Sequence, residues 1–173
     1  MKSVLLILIV FAAACTQQTA TTTTTLDVRD MPLEQSVEKM KEDMKATPGS
    51  VPEEKVQGDQ GFSGTVHKNG VFENLNYMSS GSASIVEKDG KYFVVFGDDF
   101  STPNGPDLVV YLTKNNGPSS RDDVSQGIQL QKLKSTNGMQ VYEIPENVNI
   151  NDYNSVTIHC RAFNVPWSYA PLK

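Results

Sequence analysis

Ser155-Val156-Thr157-Ile158-His159-Cys160-Arg161-Ala162-Phe163-Asn164-Val165-Pro166-Trp167 is the stretch that decides the fold. Its first eight residues alternate, which is the period-two signature of a strand with one buried face. Val156, Ile158, Cys160 and Ala162 share one face, and Thr157, His159 and Arg161 share the other. The apolar set points inward, and Cys160 goes with it. Phe163, Val165, Pro166, Trp167 and Tyr169 follow at once, so a strand ending at a rim would set Cys160 against an aromatic pocket, whereas a strand crossing the core would seal it.

The same short alternation recurs upstream. Gly61–His67, Ser82–Lys88, Lys91–Gly97, Leu108–Thr113, Ile128–Leu133 and Gln140–Ile144 read as strands, and Ser168–Leu172 reads as a last short one. Asp89-Gly90 is a tight hairpin signal, since a type I′ turn needs positive φ at both central residues. Asn69-Gly70 and Asn137-Gly138 read as similar turns. No helical run separates these strands. The expectation is therefore an all-β domain over 60–173, an antiparallel β-sandwich or barrel of about 7–9 strands.

The residues before it differ. Met1-Lys2, an apolar run from Val4 to Phe11, and Ala12-Ala13-Ala14 before Cys15 have the layout of a secretory signal over 1–14. The apolar run is shorter than the ~20 residues that a spanning helix needs. Small residues ending in Cys resemble a bacterial lipobox, with cleavage before Cys15 and acylation (palmitate among the chains) of that residue; an ordinary signal peptide with a chance Cys is the other reading. Several acyl chains anchor stably, because each buried methylene contributes about 0.8 kcal/mol. Thr16 after the Cys favours the outer membrane or cell surface of a bacterial envelope over retention in an inner membrane. From Cys15 to Thr25 no apolar pattern exists, which makes a spacer. Within the tether 15–59, Leu33, Val37, Met40 and Met44 fall at helical spacing and predict a short helix over 33–45, stopped by Pro48-Gly49. It either docks on the domain or a partner, or stays solvated. Residues 46–59 mix Pro, Gly, Ser and charge and read as a linker.

The chain has 173 residues, a formal net charge of −5 and no basic block, which argues against nucleic acid as a partner. Two His residues without a nucleophile motif leave hydrolases unsupported, and no Gly-rich phosphate loop is present. Acylation of Cys15 would leave Cys160 as the only thiol, without an intrachain partner in a compartment that oxidises thiols. Such a thiol is either packed and inert or kept for redox or metal chemistry. Haem ligation needs a second ligand or a pocket, for which His67, His159, Met78 and Tyr77 are the candidates. His159 faces away from Cys160 on a regular strand. Asp98, Asp99 and Asp107 flank a Ser-Thr-Pro-Asn-Gly-Pro loop. These are oxygen ligands of the kind that Ca²⁺ takes, but turn-forming is the commoner work of such residues.

Several elements in order resemble one family. They are Asp99-Phe100, Gly105-Pro106-Asp107-Leu108-Val109-Val110-Tyr111-Leu112, Leu133-Lys134, Tyr142-Glu143-Ile144-Pro145, the run from Tyr153 to Val165, and Ala170-Pro171-Leu172. Together they are similar to the electron-transfer DM-thirteen domain over roughly 60–173. The resemblance implies an all-β domain with a signature cysteine in the last long strand, the place of Cys160. It also implies redox chemistry through a bare thiol or a bound group such as haem, with Cys160, Phe163 and Trp167 as the candidate cofactor-binding residues and a redox protein as partner. The family often carries His before the Ser-Gly turn of an early strand; here Tyr77 stands at that place in Asn76-Tyr77-Met78-Ser79-Ser80-Gly81. A non-catalytic envelope binding or scaffolding module with a structural Cys160 is the alternative.

Overall fold

The computed structural model describes residues 26–173, so the expected leader over 1–14, Cys15 and the expected spacer up to Thr25 lie outside the described residues. The fold is a sandwich of two antiparallel sheets. One sheet has the order β1-β3-β4-β7, from β1 (Thr65–Val71), β3 (Ser82–Lys88), β4 (Lys91–Phe96) and β7 (Gln140–Glu143). The other has the order β2-β9-β8-β5-β6, from β2 (Glu73–Asn74), β9 (Val165–Pro171), β8 (Ser155–Cys160), β5 (Leu108–Thr113) and β6 (Ile128–Lys132). The all-β reading and the strand number hold. Asp89 and Gly90 have φ of 53° and 77° and join β3 to β4 as the hairpin expected of them.

The core lies between the sheets. Ala83, Ile85, Val94, Phe96 and Tyr142 from the first sheet meet Leu108, Val110, Leu112, Val156, Ile158 and Cys160 from the second. Phe72, Phe96 and Phe100 pack ring to ring, with centroids 4.6–5.1 Å apart, the spacing of favourable tilted and edge contacts.

Two local expectations need correction. Asn69-Gly70 is not a turn: it lies within β1, paired with β3 at Ser84 and Ala83. Asn69 exchanges both backbone hydrogen bonds with Lys173, at 3.1 and 2.9 Å, and a Cβ on Gly70 would strike the Pro171 carbonyl. The Asn-Gly pair therefore serves a close crossing at the corner of the sandwich. The first strand accordingly starts at Thr65 and runs to Val71, not from Gly61 to His67. The expected absence of helix inside the domain also fails, since α2 (Arg121–Ser125) lies between β5 and β6. Its signal is the Ser120-x-x-Asp123 capping box, in which Ser120 accepts from the Asp123 N–H and Asp123 accepts from the Ser120 N–H.

The helix α1 (Leu33–Ala46) packs on the second sheet, with Met40 and Ser36 fully buried and Val37 nearly so. Residues 46–59 also lie against the sandwich. Asn104 grips Val51 through both its N–H and its carbonyl, at 3.0 and 2.8 Å, and Val51 joins the core. Lys134 pairs with Asp59 at 2.7 Å, and Asp59 accepts from the Val141 N–H on the outer face of the first sheet.

Candidate functional site

The sequence Ser155 to Cys160 makes a strand because alternate residues find two different environments. In register, Cys160 stands opposite Leu108 on β5 and Val165 on β9, inside the sandwich. It has no exposed surface. Burial pushes its thiol up from 9.0 to about 11, while the nearby backbone amides of Phe163, Asp107 and Ala162 work the other way. Cys160 is thus a protonated thiol at neutral pH, and poorly suited to thiol–disulfide exchange, which needs thiolate and access.

The end of the sandwich around Cys160 is aromatic because of a bulge. Pairing passes from Ile158 opposite Ser168 to His159 opposite Pro166, which makes Trp167 the extra residue on β9. The Trp167 carbonyl accepts from the N–H groups of both Asn76 and Tyr77 at 3.1 Å, and the Asn76 side chain donates to the Pro166 carbonyl at 2.7 Å. These bonds fix the 74–79 loop on the bulge and lay Tyr77 flat on Trp167, with ring centroids 3.8 Å apart and 7° between planes. Trp167 is itself fully buried, and its Nε1–H donates to Thr102 at 2.9 Å. Thr102 and Ser168 each share a 2.7 Å hydrogen bond with Ser79. Gly105 is what makes room for the indole: a Cβ there would stand 2.9 Å from both Trp167 and Leu108. Burial raises the Tyr77 hydroxyl, and charge on Cys160 and on Glu38 of α1 would raise it further; Tyr77 shares a groove with Glu38 and other α1 residues.

Leu108, opposite Cys160 in register, and Trp167 both flank Gly105, so Cys160, Trp167 and the Tyr77 stacked on it lie at one end of the core, and Phe163 in the turn after Cys160 is 8% exposed. The structure leaves the other candidate ligands apart. His67 lies at a bulge of β1 and pairs with Glu87 at 2.7 Å, and Met78 is 73% exposed. His159 occupies the opposite face of β8, edge-on to Tyr111 at 5.7 Å. There burial holds its ring down to about 4, Asn164 favours the charged ring, and Nδ1 has no hydrogen-bond partner. Haem does not fit beside Cys160 as the residues stand. The two nearest clefts, one floored by Tyr77 and the other bordered by Phe163 and Met44, are not lined by Cys160, and Tyr77 is committed to its stack.

Two of the three aspartates around the 98–107 loop, Asp99 and Asp107, have separate structural work. Asp99 accepts from the N–H and the hydroxyl of Ser82 at 3.1 and 3.0 Å. Asp107 binds Arg161 at 2.8 and 3.3 Å and lies 3.5 Å from Lys132; burial pushes its carboxyl up, but these cations win and hold it low. Among the described residues, no three His, Cys, Asp or Glu side chains converge as metal ligands do. Sequence reasoning missed two things here. The first is the stack, because a bulge has no reliable sequence mark. The second is Arg121, whose guanidinium donates to the carbonyls of Met31 and Asn164 and to the Ser36 hydroxyl, and so ties α1 to the turn after Cys160.

No curated protein sequence and no solved structure matches the chain. A family model described as Electron transfer DM13 matches residues 71–172, which takes in every strand from β2 to β9, Tyr77, Cys160 and Trp167, and leaves α1 and most of β1 outside. The match covers more than half of the sequence, and the chain belongs to the electron-transfer DM13 family.

Proposed function

We propose that this protein is a lipid-anchored electron-transfer protein of the bacterial envelope, held to the outer membrane or cell surface through acylated Cys15, in which Cys160 is the redox group. The observation that carries this reading is the match of the electron-transfer DM13 family model to residues 71–172, a stretch that holds Cys160 sealed in the core at the end of β8. Burial directs the chemistry away from disulfide exchange and towards electron transfer with a redox protein partner. In that step one electron goes to the partner's one-electron centre and the thiol proton goes to solvent.

A second reading has its own observation. Cys160 is fully buried with a raised thiol, which is how a packed structural cysteine in a binding or scaffolding module behaves.

Titration of the folded full chain with a one-electron oxidant such as hexachloroiridate separates the two. The redox reading expects one more equivalent consumed by the wild type than by Cys160→Ala, while a bulky disulfide reagent reacts with neither until denaturant is added. Equal consumption by the two proteins would leave the packing role standing. For the anchor, Cys15→Ser should move the protein from the membrane fraction to the soluble one.

A further inference from the structure

We propose that Tyr77 and Trp167 form the electron port of this domain, a stacked pair through which a one-electron partner exchanges electrons with the buried Cys160. The proposal rests on the reading of Cys160 as the redox group. A sealed sulfur needs a conductor to the surface, and aromatic rings that oxidise by one electron are the side chains that supply it.

Three features suit this pair to the task. Trp167 is wholly buried, and Tyr77, partly exposed, lies parallel on it at 3.8 Å, so the rings are in van der Waals contact between the interior and solvent. Tyr77 forms the floor of an open groove of about 860 Å³ whose walls come from α1, including Glu38, Lys41 and Met44, and Leu75 and Met78 next to it are exposed. A partner therefore has an accessible, partly apolar place to touch. Finally, oxidation of an indole makes its N–H strongly acidic, and the proton has a route. Nε1–H of Trp167 donates to Thr102, Thr102 is bonded to Ser79, and both hydroxyl residues line a surface cleft with Asn74, Ser80 and Ser101.

The steps balance as follows. An external one-electron oxidant, a metal complex or a haem or copper protein, takes one electron from Tyr77, whose phenolic proton passes to water in the groove. Trp167 returns an electron to Tyr77, which regains a proton from water. The indole proton moves to Thr102 as Thr102 hands its own to Ser79 and Ser79 hands its own to water in the cleft. Cys160 then gives one electron to Trp167, its S–H bond breaks, and its proton is released to solvent, while the hydroxyl chain returns a proton to Nε1. The net change is loss of one electron and one proton from Cys160, with Tyr77 and Trp167 restored.

The test is flash-quench oxidation of the full chain in detergent, with a photogenerated ruthenium(III) polypyridyl complex as the probe and transient absorption as the readout. The protein has a single tryptophan, so any indole radical belongs to Trp167. The wild type should be oxidised in a fast phase, with an indole radical that then decays. Tyr77→Phe should lose the fast phase, whereas Tyr169→Phe, which removes another part-exposed hydroxyl (bonded to Glu73), should keep it. Cys160→Ala should keep the fast phase and lengthen the life of the indole radical. A fast phase that survives in Tyr77→Phe overturns the port, whatever Cys160→Ala does. Loss of that phase in Tyr77→Phe with an unchanged radical lifetime in Cys160→Ala supports the port and instead refutes Cys160 as the group behind it.

Discussion

The two faces of β8 are buried equally and built oppositely. Val156, Ile158 and Cys160 face the core, and Ser155, Thr157 and His159 face outward, yet none of the six is more than 4% exposed. The inner face is apolar and ends in a thiol. The outer face is roofed by the 114–125 segment and is held by hydroxyls: Thr113 bonds Ser155 at 2.6 Å and Thr157 at 2.8 Å, and Ser155 donates to the Asn115 carbonyl. Each face ends in a titratable group whose neutral form the fold prefers, because burial disfavours charge. For the thiol the neutral form is the protonated one, and for the imidazole it is the deprotonated one. One strand therefore fails at opposite ends of the pH scale through its two faces.

The hardest blow to the inner face is Ile158→Ala, which removes a fully buried side chain from a packed sandwich and should cost about 4 kcal/mol in urea unfolding. Next comes the outer face in acid. His159 titrates at about 4 in the fold against 6.5 when exposed, so the unfolded state binds its proton first. Stability present above 6.5 is lost as pH falls through 4, by about 3 kcal/mol in all. Other groups share the acid range, so the readout is the slope difference between wild type and His159→Phe, which should be flatter. The inner face answers in alkali. Cys160 titrates at about 11 in the fold against 9.0, so its contribution is intact below 9.0 and is lost as pH rises through 11, by roughly 2–3 kcal/mol. Cys160→Ala should abolish that alkaline loss, and an unchanged slope would mean the sulfur is less sealed than its burial shows.

The contrast also explains what could be read from the sequence. Period-two alternation in Val156-Thr157-Ile158-His159-Cys160 says which way the thiol points, and the strand bounds of Ser82–Lys88 and Leu108–Thr113 are right to the residue. Alternation is a local property. It cannot say that the polar face is covered, because the cover comes from afar: Arg121 reaches Met31 and Ser36, some 90 positions earlier. Tyr77 is a candidate in the sequence, but its stack on Trp167 escapes for the same reason. Its place beside Trp167 depends on a one-residue bulge in β9 and on two amides of a loop that precedes it by about 90 residues, and neither leaves a periodic trace. Asn69-Gly70 misleads because a glycine needed for a close crossing looks the same, in sequence, as a glycine needed for a turn.

The smallest expected effect is the most informative about the outer face. Thr113→Val keeps shape and removes the hydroxyl at the centre of the cluster. Ser155 retains the Asn115 carbonyl, but Thr157 loses its one side-chain partner, and a buried hydroxyl left unpaired should cost about 1–2 kcal/mol. Adding Thr157→Val removes the stranded group, and since apolar pairs of matching shape can replace a hydrogen-bonded pair almost neutrally, the double variant should recover most of the loss. Recovery in urea unfolding would show that the outer face is held by being covered rather than by being polar. A double variant no more stable than Thr113→Val would mean that the hydroxyls themselves hold the roof on the strand, and the two faces of β8 would then differ in what stabilises them as well as in what they titrate.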